Sequence, residues 1–78
     1  MAMNKAYFNR KYSEEINKIA AANDVDLNVA ADMFISNIKA AFGICYTVEG
    51  ELKNYDVYEG LPEDYNYKPA AVDLLGVI

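Results

Sequence analysis

Apolar residues fall at helical spacing through the first half of the chain and change period beyond Gly43. The clearest stretch is Asn23–Gly43, where Leu27, Ala30, Phe34, Ile38, Ala41 and Phe42 recur at three- and four-residue steps. Asn28, Asp32, Ser36 and Lys39 take the opposite face. Asp26 is the expected N-cap, because its side-chain oxygen can accept from a free backbone amide. Gly43 stands where a C-cap glycine belongs. Ala30 and Ala31 are small enough for another backbone to approach closely.

An earlier helix is expected over about residues 13–22, with Ile16, Ile19 and Ala20 inward and Lys11, Glu14, Glu15 and Lys18 outward. Glu14 and Glu15 suit the positive end of that helix. Asn9 and Ser13 are both acceptable caps. Asn23-Asp24 ends the helix, since short polar side chains tolerate left-handed geometry. Residues 3–8 read equally as a short strand or as the start of this helix, with Phe8, Tyr12, Ile16 and Ile19 on one stripe.

Past Gly43, Ile44, Tyr46 and Val48 alternate with Cys45 and Thr47, as a strand would. Glu49-Gly50 is a plausible turn, with Leu52, Tyr55 and Val57 on a returning strand. Residues 59–69 carry two prolines and a glycine and read as a loop. The tail from Ala70 to Ile78 is a last strand, a short docking helix or a segment that orders on a partner. The fold class expected is therefore α+β in a single small domain, 1–78. A two-helix hairpin (1–43) precedes a small antiparallel β-hairpin with an acidic tail (44–78), and the N-terminal strand is undecided.

Charge sharpens this division. Residues 1–45 balance Lys5, Arg10, Lys11, Lys18 and Lys39 against Glu14, Glu15, Asp24, Asp26 and Asp32. The whole formal charge of −5 sits on residues 46–78, where Lys53 and Lys68 face Glu49, Glu51, Asp56, Glu59, Glu63, Asp64 and Asp73. Such a half repels nucleic acid and attracts basic protein surface. The composition, 54% hydrophobic and 24% charged, is that of a folded globule. A chain of 78 residues has a marginal core, and such chains often lean on a partner or a second copy. The N-terminus lacks a signal-peptide core and no apolar run reaches the ~20 residues of a membrane span, so a cytoplasmic protein is expected.

Candidate chemistry is sparse. Asp24, Asp26 and Asn28 have the one-three-five spacing of a calcium loop, but Val29 and Ile35 stand where glycine and glutamate are needed, and helix capping accounts for them better. With no histidine and one cysteine there is no zinc set. Cys45 has no histidine base and reads as a small buried hydrophobe. Glu51-Leu52-Lys53 looks like the tail of a metal-dependent nuclease signature, yet lacks an acidic partner on a neighbouring strand, since Asp32 sits on a helix. No catalytic group, metal or cofactor is expected.

Tyrosines are the more informative feature. Tyr46, Tyr55, Tyr58, Tyr65 and Tyr67 crowd the acidic half. Tyr46 and Tyr55 read as hairpin packing. Glu49, Glu51, Asp56, Tyr58, Glu59, Glu63, Asp64, Tyr65 and Tyr67 form the candidate partner-binding set, because tyrosine combines contact area with a hydroxyl.

The run from Ile19 to Ile44 resembles the helix-turn-helix portion of ribbon-helix-helix proteins of the RelB/DinJ antitoxin type. Val25-Asp26-Leu27, Ala30-Ala31, Met33-Phe34-Ile35 and Gly43-Ile44 carry the resemblance. It is also similar to Arc-type repressors around Asn23 and Asn28. The resemblance implies a homodimer whose paired strands read the DNA major groove. By position it puts Met3, Lys5 and Tyr7 toward DNA and Arg10 and Lys11 near phosphates. The segment after the second helix would then wrap a basic ribonuclease toxin.

Two functions are thus expected to compete. The leading one is a non-enzymatic inhibitor that binds a basic protein surface and blocks a nucleic-acid-processing enzyme, of the phage or plasmid anti-defence type (anti-CRISPR-like or anti-restriction). The alternative is the dimeric antitoxin-like regulator, which alone asks for DNA. A plain assembly protein with an apolar dock at 70–78 is a third.

Overall fold

A computed structural model describes residues 4–42 and 56–77. Four helices form among them: α1 (Lys5–Lys11), α2 (Ser13–Asn23), α3 (Leu27–Ala41) and α4 (Lys68–Val77).

Local chemistry explains each boundary. The Asn4 side chain accepts from the Tyr7 amide at 2.8 Å and starts α1. Tyr12 is both the C-cap of α1 and the N-cap of α2, so the two helices meet at a single residue. Asp24 ends α2 in the left-handed conformation, with φ 53°. Asp26 then caps α3 by accepting from Val29 N–H at 2.9 Å. Pro69 lies in the first turn of α4, where its missing N–H has no intrahelical partner to lose.

The class expected from sequence, α+β, is corrected: the described residues hold four helices and no strand. Residues 5–8, open to a strand reading, are helical, because Phe8 continues the stripe of Tyr12, Ile16 and Ile19 into one shared core. Met3 lies outside the described residues, as does most of the expected hairpin, 44–55, with Cys45, Tyr46, Glu49, Glu51 and Tyr55. Asp56 and Val57, at its returning end, are not part of a strand. The tail is a helix, the second of the three forms open to it.

α2 and α3 pack against each other, and Ala30 and Ala31 of α3 are fully or almost fully buried. α4 closes the core against α1 and α3 with Ala70 and Leu74. Phe34 is the hub. Its ring centroid lies 6.1 Å from Phe8, 5.6 Å from Tyr12 and 6.4 Å from both Tyr65 and Tyr67. Leu27 and Phe42, at the ends of the expected α3 stripe, are 56% and 48% exposed. No helix among the described residues is long and apolar enough to cross a membrane.

Candidate functional site

Residues 56–61 form a strap laid across α2 and α3. Side chains of those helices pin its backbone. Ser36 Oγ donates to the Asp56 carbonyl at 3.1 Å. Asn37 donates to the Tyr58 carbonyl and accepts from the Tyr58 amide. Asn23 Nδ2 donates to the Glu59 carbonyl at 2.9 Å. Gly60 then presses onto α2 with φ +125°. A Cβ there would stand 2.8 Å from Ile19 Cα and from the Lys18 carbonyl oxygen, so only glycine fits.

Asn37 is the residue that sequence reasoning missed. It is 1% exposed and lies within the apolar stripe of α3, between Phe34 and Ile38. A polar residue in that stripe was the available signal, since a buried amide needs partners. One buried amide therefore holds both backbone polar atoms of Tyr58.

Tyr58 and Tyr67, with Val57, Glu59, Leu61, Pro62 and Glu63, line a cleft of about 320 Å³. Four members of the expected partner-binding set meet there: Tyr58, Glu59, Glu63 and Tyr67. Asp56 and Asp64 are exposed beside it on the same segment. Tyr65 does not line the cleft. It packs edge-on against Tyr67 at 4.8 Å and against Phe34, half-buried. Burial raises the pKa of both phenols, with Glu15 adding to the effect at Tyr65, so both stay protonated and can donate.

Glu59, Glu63 and Asp64 are exposed, and no described cation forms an ion pair with them. Three lysines pair elsewhere: Lys5 with Asp32 at 3.4 Å, Lys18 with Glu14 at 3.8 Å and Lys11 with Asp73 at 2.7 Å. Asp73 also accepts from the Tyr12 hydroxyl at 2.5 Å.

The expected DNA-facing residues are not arranged as a ribbon. Lys5 and Tyr7 lie two apart on α1, which turns them to different sides of a helix instead of one strand face. Two of the three cations in that set, Lys5 and Lys11, are already in ion pairs, and Arg10 is exposed. Among the described residues there is no cluster of three His, Cys, Asp or Glu able to hold a metal. No family model, curated protein or solved structure matches the chain.

Proposed function

We propose that the strap and its cleft form a docking surface for a basic protein, and that the chain acts as a non-enzymatic inhibitor of a nucleic-acid-processing enzyme. The observation that carries this reading is the state of Glu59, Glu63 and Asp64. They are exposed carboxylates that form no ion pair with a lysine or arginine of the described residues, on a backbone pinned at Asp56, Tyr58, Glu59 and Gly60. Such charges attract a basic surface and speed its approach. The pinned backbone means that little ordering cost is left for binding. An enzyme that handles nucleic acid presents the complementary surface, because affinity for phosphates requires clustered lysine and arginine. An acidic protein seated there excludes the nucleic acid. Anti-defence inhibitors of the phage or plasmid type are the class of protein this describes.

The test is co-purification from the native host, with partners identified by mass spectrometry and the partner's nucleic-acid processing then assayed. The wild-type chain should retain a basic nucleic-acid-binding enzyme and inhibit it. A variant with Glu59, Glu63 and Asp64 all changed to lysine should do neither. Undiminished capture and inhibition by that variant would reject the reading.

A further inference from the structure

The cleft is narrower in its chemistry than a generic acidic surface. We propose that it seats one arginine side chain of the partner, with the guanidinium against Tyr58 and Tyr67 and beside Glu59 and Glu63. This rests on the docking surface proposed above and names its anchor.

Three observations carry it. The first is charge complementarity: two carboxylates line the cleft and no lysine or arginine of the described residues does. The second is size. About 320 Å³ lies at the small end of ligand sites, suited to one long side chain with some water. The third is the mixture of walls. Leu61 and Pro62 offer apolar contact for a methylene stem, while two tyrosines and two glutamates await the charged end. A guanidinium suits this mixture better than an ammonium. It is planar and weakly hydrated, stacks on an aromatic face, and can meet a carboxylate with two parallel hydrogen bonds. Asn37 fixes the backbone of Tyr58, and ring contacts with Phe34 and Tyr65 hold Tyr67, so both walls are set before the partner arrives.

The test uses NMR titration of the full chain with blocked tripeptides, Ac-Gly-Xaa-Gly-NH2, in which Xaa is arginine, lysine or citrulline. The arginine peptide should give saturable shifts confined to the amides of residues 57–67. The lysine peptide should bind about three- to fivefold more weakly, the factor that a modest cation–π preference supplies. Citrulline, which is uncharged, should give no saturable shift. Tyr58→Leu keeps the backbone bonds to Asn37, so it should fold normally and lose the preference for arginine. Equal shifts for arginine and lysine, spread over Glu14, Asp24 and Asp32 as well, would overturn the proposal. A partner from the host that is lost on charge reversal but binds Tyr58→Leu undiminished would reject the arginine seat alone. A partner indifferent to both variants would reject the docking surface too.

Discussion

Asn37 meets Tyr58 at both of its backbone polar atoms: Oδ1 accepts from the N–H at 2.7 Å and Nδ2 donates to the carbonyl at 3.1 Å. The amide does for Tyr58 what a neighbouring strand would do, from the side of a helix. Asn37→Ala should therefore cost about 2–4 kcal/mol, since two half-buried backbone groups lose their partner. Denaturant unfolding measures the loss. A change under about 0.5 kcal/mol would mean that the strap is not held as described.

Gly60 gives the second prediction. Gly60→Ala places a methyl group against α2 backbone at a φ that L-residues rarely adopt. Stability should fall by about 2–4 kcal/mol, combining backbone strain with the clash. Amide exchange in residues 57–61 should speed up more than in α3. A neutral result would remove the close approach of strap and helix.

The cluster of Lys11, Tyr12 and Asp73 predicts a pH dependence. The Lys11 ammonium, and then the Tyr12 hydroxyl, hold the Asp73 carboxyl below its ordinary value. A carboxyl with a depressed folded pKa stabilises the fold above its unfolded pKa, and that contribution is lost as pH falls below about 4. Asp73→Asn should thus be less stable than wild type at neutral pH and should lose less on acidification. Tyr12→Phe removes one hydrogen bond from a nearly buried ring and should cost about 1 kcal/mol. Thermal unfolding followed from pH 7 to pH 2.5 tests both.

The register of α4 is tested by two adjacent leucines. Leu74 is 5% exposed and Leu75 is 71% exposed. Leu74→Ala should cost about 2–4 kcal/mol and Leu75→Ala under about 0.5 kcal/mol. Similar costs at both positions would mean that α4 docks by another face.

What the sequence revealed was local. Asp26 as a cap and the break after Asn23 could be read because each depends on side chains within three residues. The ends of the α3 stripe misled for a related reason. Periodicity places Leu27 and Phe42 on the inner face but cannot say that the helix runs past the core at both ends. The strand expected to return through Val57 is absent, since Asp56, Val57 and Tyr58 belong to no strand. The backbone of Asp56 and Tyr58 bonds Ser36 and Asn37 instead, about twenty residues away on a helix, and no period in the sequence reports them. Tyr58, Glu59, Glu63 and Tyr67 were legible as a candidate set from their chemistry. That Tyr65 turns toward Phe34 instead was not, because a tyrosine in a loop carries the same letter whichever way its ring faces.

α1 has only seven residues, too few to persist without tertiary support. Part of that support is Asp73, which reaches it from α4 through Lys11 and Tyr12. The two terminal helices thus behave as one clasp. When α4 lifts, α1 should fray with it, leaving the α2–α3 pair as the last part of the molecule to exchange its amide hydrogens.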